Sequence, residues 1–171
     1  MTDLARPTRP WSHYFHHWQP LLVGLLLILA IWFGVRMEQA GYQKAVVEKF
    51  ENLGGVVGFD YQFDRSGKEI SGAEPPGDAW LRRWLGDDFF TNVTTMDLAQ
   101  TEIDDADLKQ LERLTDLQSL SLGPRVTDLG LEPLTRLSKL HSLDLRATRV
   151  TDAGVEEIKK ALPHCTITVR R

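Results

Sequence analysis

A single cysteine, Cys165, stands in 171 residues, so the chain forms no internal disulfide and no multi-cysteine zinc site. Extended runs of lysine and arginine are missing too. With 20 basic residues against 24 acidic ones the formal net charge is −4, which argues against electrostatic binding of nucleic acid. No Ser/His/Asp spacing, phosphate-cradling glycine loop or metal motif occurs, so the sequence reads as that of a non-enzyme without a cofactor. Charged residues at 26% and hydrophobic ones at 42% are near globular averages, which argues against wholesale disorder. The length allows one ordinary domain and something small beside it.

Long apolar runs are absent except for one. Leu21 to Val35 (LLVGLLLILAIWFGV) is 15 residues without a charged or strongly polar side chain. As a helix it rises about 22 Å, or about 27 Å counted back to Trp18, against a hydrocarbon core of about 30 Å. Residues 18–35 therefore cross a bilayer with local thinning or snorkelling at the ends. Trp11, Tyr14, Trp18 and Trp32 lie near those ends, where amphipathic rings favour the interface. A buried core helix of this length would show a polar face, and none is visible. A cleaved signal peptide has a similar apolar length, but cleavage needs small residues at −3 and −1. Cuts after Gly34 or Ala40 would put Trp32 or Glu38 at −3. The run is accordingly read as an uncleaved single-pass anchor in the cell membrane. Residues 1–17 are net positive through Arg6 and Arg9, while 36–171 carry 18 basic and 23 acidic residues. The positive-inside rule then places the N-terminus in the cytoplasm and the following domain outside it.

The last 80 or so residues compare well with themselves at a period near 24. Met96 and Leu98, Leu120 and Leu122, Leu143 and Leu145, and Ile167 and Val169 are equivalent pairs, each with the alternation of a short strand buried on one face. A branched aliphatic and a capping group follow in Ile103-Asp104-Asp105, Val126-Thr127-Asp128 and Val150-Thr151-Asp152. Apolar residues then recur at helical intervals: Leu108, Leu111 and Leu114; Leu131, Leu134 and Leu137; Val155, Ile158 and Leu162. The unit predicts a strand, a tight loop, a capped helix and a return loop. Four such strands stacked in parallel, with three helices covering the outside, bury a core that no single unit could bury alone.

This pattern resembles the leucine-rich repeat, in the ribonuclease-inhibitor-like form common in membrane-anchored bacterial proteins. The closest stretches are Val126-Thr-Asp-Leu-Gly-Leu131 and Val150-Thr-Asp-Ala-Gly-Val155, and Ala161-Leu-Pro-His-Cys-Thr-Ile167 looks like a terminal repeat. One departure is that the family's asparagine-ladder position is threonine here, Thr101 and Thr148, and is deleted in the middle repeat. The resemblance covers roughly 93–169 and implies a short α/β solenoid that binds proteins through its concave sheet.

Between anchor and repeats, residues 36–92 read as a linker helix and an α+β cap. Ala40, Val47, Phe50 and Leu53 fall near one face of a helix ending at Gly54-Gly55. A strand is expected over 56–63 (VVGFDYQF) and a short helix over 79–85. Trp80, Trp84, Phe89 and Phe90 directly precede the first repeat and are expected to form the lid that a solenoid end requires. The organisation is thus flank 1–17, anchor 18–35, linker and cap 36–92, and repeats 93–171.

Other polar clusters have plain readings. His13, His16 and His17 suit a membrane interface better than a metal. Asp104, Asp105 and Asp107 lack the glycine and distal glutamate of a calcium loop and read as helix caps. Asp87-Asp88 reads as a solvated turn, and Cys165 as a buried or half-buried repeat residue rather than a nucleophile. What remains is a surface. Alternation turns Ser119 and Ser142, then Asp97, Ser121, Asp144 and Thr168, then Arg146 and Arg170, out of the sheet in adjacent columns. These eight residues are the expected contact face for a protein partner. The alternatives are a structural envelope protein that associates with itself, or a secreted repeat protein if residues 1–35 are cleaved.

Overall fold

The computed structural model describes residues 19–64 and 68–170. It is a mixed α/β structure with a five-stranded sheet and one long apolar helix near the N-terminus. The chain divides into two units, Met1–Glu38 and Gln39–Arg171.

The long helix, α1, runs unbroken over Gln19–Asn52. Leu21 through Val35 is exposed apart from half-buried Gly24, and an 18-residue segment of the helix has mean hydropathy 2.2 with none of it buried. It is long and apolar enough to cross a membrane, and no break separates the apolar turns from the later ones. From Gln39 onward the same helix belongs to the folded unit. Ala40, Val46, Val47 and Phe50 recur at helical spacing and are buried, whereas Leu53, expected on that face, is 43% exposed. The helix closes where the Gly55 N–H donates to the Phe50 carbonyl at 2.9 Å.

The sheet has the order β1-β2-β3-β4-β5, with β1 Val56–Phe59, β2 Val93–Asp97, β3 Ser119–Ser121, β4 Ser142–Asp144 and β5 Thr166–Thr168. β1 is antiparallel to β2, and the others run parallel. Met96, Leu120, Leu143 and Ile167 stand in register, 24, 23 and 24 residues apart. One residue beyond each strand, the ladder continues from Leu98, Leu122 and Leu145 N–H to the carbonyls of Ser121, Asp144 and Thr168. These aliphatics and those of the connecting segments form one buried cluster with Val46, Val47 and Phe50.

The connections differ from the three expected helices. Only α3, Asp105–Leu108, and α4, Asp152–Ala161, are α-helical. Residues 109–113, 128–131 and 133–136 are 3-10 turns. The cause is in the spacing. Leu108, Leu111 and Leu114, like Leu131, Leu134 and Leu137, recur at strict threes, the period of a 3-10 helix, while Val155, Ile158 and Leu162 follow the three-then-four step of an α-helix. Pro133, lacking an N–H, also interrupts any continuous α-ladder there.

Two expectations for the cap change. The strand over 56–63 stops at Phe59, with a register shift at Gly58/Phe59 and a 3-10 turn over Asp60–Gln62. α2, Ala79–Leu85, forms where expected. It is not a lid, however, because Trp80 and Trp84 are 69% and 77% exposed. Phe89 alone of the four aromatics is buried. The second half of α1 supplies the buried side chains that the lid was expected to provide, since Phe50 packs into the same cluster as Val93 and Met96.

Candidate functional site

Alternation in β2–β5 sends one set of side chains into the core and the other to solvent. The solvent-facing rows are Thr95, Ser119, Ser142 and Thr166, and then Asp97, Ser121, Asp144 and Thr168, each in register across the parallel strands. Seven of the eight expected contact residues thus stand on this side as two adjoining rows and their continuation at Arg146, and Arg170 follows β5 just beyond Thr168. Gly123, the position equivalent to Arg146 in the previous strand, is buried, so the third column is not a continuous surface.

The strand ends are closed by their own acids. Asp97 Oδ1 accepts the Ala99 N–H at 3.1 Å, and Asp144 Oδ1 accepts the Arg146 N–H at 3.0 Å. Arg146 then folds back, its Nε 3.0 and 2.9 Å from the two Asp144 oxygens. The guanidinium hydrogen bond holds the Asp144 carboxyl below its usual range against a smaller opposing effect of burial, and raises Arg146 in turn. Asp144 and Arg146 therefore present a paired charge. Together with Arg170, and over Ala99 and Leu122, they border a groove of about 380 Å³.

A second groove, about 520 Å³, opens at the other end of the same strands. Ser119 and Ser142 from the expected set line it, beside Asp60, Asp64, Phe63 and His141. These last four are not among the residues expected from the sequence. Asp60, Phe63 and Asp64 come from the turn after β1, and only the antiparallel pairing of β1 with β2 sets them here; no spacing in the chain announces that. Asp60 is tied down by Asn92, whose N–H and Nδ2 donate to its two oxygens at 3.2 and 2.9 Å.

Asp105 of Ile103-Asp104-Asp105 and Asp128 of Val126-Thr127-Asp128 do more than favour helix ends. Asp105 accepts the Thr127 N–H at 2.8 Å and its hydroxyl at 2.6 Å; Asp128 does the same for Thr151 at 2.8 and 2.6 Å. Each threonine hydroxyl also accepts an N–H of the turn it caps, from Leu129 and Gly154 respectively. The glycines of these motifs make room. A Cβ on Gly130 would stand 2.5 Å from Asp105 Oδ1, and one on Gly154 would collide with Asp128. Asp104 caps α3 through the N–H groups of Ala106 and Asp107.

These bonds predict an acid response. Thr151's hydroxyl and N–H hold Asp128 below its usual range. At Asp107 burial pushes the other way, but the Lys49 hydrogen bond and the Asp104 N–H prevail and lower it. Carboxyls lowered on folding stabilise the native state above their unfolded pKa of about 3.9 and lose that contribution as pH falls through the folded values. Asp88, raised by burial, works in the opposite sense. Carbon-detected NMR titration should find Asp128 titrating below the usual aspartate value and moving up towards it in Thr151→Val. An Asp128 midpoint at the usual value in the wild type would mean that the Asp128–Thr151 bonds do not form.

His13, His16 and His17 lie outside the described residues. Among the described residues no group of three or more His, Cys, Asp or Glu side chains is arranged to hold a metal ion. Cys165 is half-buried, and burial pushes its thiol pKa up, away from the reactive thiolate. Asp87 lies 3.8 Å from the Arg82 guanidinium. The arrangement exposes hydroxyls and one paired charge along the sheet, between two grooves. No family model matches the chain, and no curated protein matches it either.

Proposed function

We propose that the chain is a single-pass membrane protein displaying a short leucine-rich-repeat module, of the ribonuclease-inhibitor-like kind, that binds a protein partner through the exposed side of its sheet. The observation that carries this reading is the pair of in-register polar rows at intervals of 24, 23 and 24 residues, with core aliphatics alternating behind them. The recurrent Asp105–Thr127 and Asp128–Thr151 bonds support a repeated unit, because each motif ties to the one before it.

The anchor reading is supported by the course of α1. Cuts after Gly34 or Ala40 would fall inside a continuous helix, and Ala40 is itself buried in the folded unit. A cleaved signal remains the second reading, favoured by the helix's place near the N-terminus.

The exposed face is small. Four strands about 4.8 Å apart, with two full outward rows and a broken third, give a footprint of a few hundred Å² at most, below the roughly 800 Å² per partner of a standard interface. Its serines and threonines lack the large aromatic anchors of binding hot spots. Binding through this face alone is expected to be weak, in the micromolar range or above, with clustering in the membrane adding avidity.

The test is site-specific photocrosslinking of the full chain in native membranes, from Ser121 on the exposed side and from Thr135 on the opposite connection. Adducts to a different protein should form from Ser121 and fade when Asp144→Arg and Arg146→Asp are combined. That double reversal keeps opposite charges at the two positions but loses the Asp144 bond to the Arg146 N–H, so it should cost about 1 kcal/mol, well short of unfolding the unit. Adducts from Thr135 only would move the contact off this face, and adducts solely to a second copy would mark self-association instead.

A further inference from the structure

α2 carries its largest apolar side chains on the outside. In Ala79–Leu85 (AWLRRWL), Leu81 and Leu85 are half-buried, while Trp80 and Trp84 are exposed. Helical spacing sets Trp80, Arg83 and Trp84 on one stripe, and all three are exposed. Arg82, on the inner side, is directed to Asp87 at 3.8 Å and Glu74 at 3.9 Å. The outward stripe is thus one cation between two indoles.

That combination suits the headgroup layer of a bilayer. An indole body settles among the upper acyl chains while its N–H stays with water and phosphate, and a guanidinium pairs with phosphate. The chain itself brings lipid within reach. Gln39, where it enters the folded unit, lies only four residues after Val35, the end of the apolar run. The segment after α2 is fastened one turn beyond that entry. Gln43 Nε2 donates to the Thr91 carbonyl at 3.1 Å, and Gln43 Oε1 accepts the Val93 N–H at 3.3 Å. Gln43 follows Val35 by eight residues in the sequence.

We propose that Trp80, Arg83 and Trp84 form an interfacial contact with the phospholipid headgroups of the bilayer that the chain's own apolar helix enters, so that α2 rests the folded unit on the membrane surface. This rests on the anchor reading above.

The test uses the full chain in phosphatidylcholine nanodiscs, with and without bromine on the acyl chains. Subtracting the emission of Trp80→Phe/Trp84→Phe from that of the wild type isolates the two indoles, and Trp32→Phe isolates a reporter within the apolar run. The Trp80/Trp84 component should lose most of its emission in brominated lipid and be shielded from acrylamide. Removing the charge with Arg83→Gln should weaken that bromine quenching. If Trp32 is quenched by bromine while the Trp80/Trp84 component responds only to acrylamide, this contact is refuted and the anchor stands. If Trp32 also escapes bromine, the anchor fails and the contact with it. Shielding from both quenchers would mean that protein, a second copy or another partner, covers the stripe, and would equally overturn the proposal.

Discussion

Leu143→Ala is expected to cost about 2–5 kcal/mol of folding stability, enough to remove a large part of the stability of a domain this size. Leu143 is fully buried at the middle of β4, in register with Leu120 on one side and Ile167 on the other. Truncation opens a gap that neighbouring strands cannot close, because their own spacing is set by the ladder that runs from Ser119 to Thr168. Ser142, its neighbour in sequence, is exposed on the other side of the sheet, and Ser142→Ala should change stability by less than about 0.5 kcal/mol. Denaturant unfolding of the full chain in detergent micelles separates the two variants. Equal midpoints for Leu143→Ala and wild type would show that β4 faces the opposite way.

Phe50→Ala is expected to cost about 3–5 kcal/mol, as for other buried phenylalanines truncated to alanine. Phe50 is fully buried at the last turn of α1 and shares a cluster with Val46, Val93 and Met96. It also marks where the helix ends, since its carbonyl accepts the Gly55 N–H. Beside it Lys49 Nζ bonds Asp107 Oδ1 at 2.6 Å, so the same turn is held to the first connection by a part-exposed ion pair as well. The loss should be local in its first expression. Hydrogen exchange in residues 40–59 should accelerate more than in β4 and β5, because Val46 and Val47 share the cluster that holds this ring and Val57 and Phe59 of β1 pack against it. Leu27→Ala, in the exposed apolar stretch, should leave exchange in 40–59 unaltered. An unchanged midpoint for Phe50→Ala would mean that the second half of α1 is not part of the core.

Pattern on the chain determined a good deal of this molecule. Apolar composition without a polar face marks the first half of α1, because a helix that packs on no protein core has no reason to be amphipathic. The alternating pairs from Met96 to Ile167 settle both where β2–β5 lie and which side is core, since a side-chain period of two admits one register only when one face is buried. Even the form of the connections is written in the leucine spacing. Leucines at strict threes favour a 3-10 turn and those at three-then-four an α-helix, a difference that is easily passed over when both are read as helical.

Tertiary structure decided the rest, and in most cases because the deciding partner is far away along the chain. Trp80 and Trp84 look like a lid from their nearness to β2, yet α1 brings Phe50 and Val46 to that cluster and leaves the indoles outside. The motif aspartates look like local caps, yet Asp105 and Asp128 commit both oxygens to threonines 22 and 23 residues ahead, where glycine allows the approach. Arg146 and Asp144 look like two independent charges for a partner, yet side-chain length lets them neutralise each other. Asp60 and His141 become neighbours of one groove only through the antiparallel return of β1. A linear pattern specifies which faces must be buried. Which of several suitable side chains does the burying depends on long-range pairing, because a core already filled by one element has no room for another, and the surplus apolar groups stay at the surface.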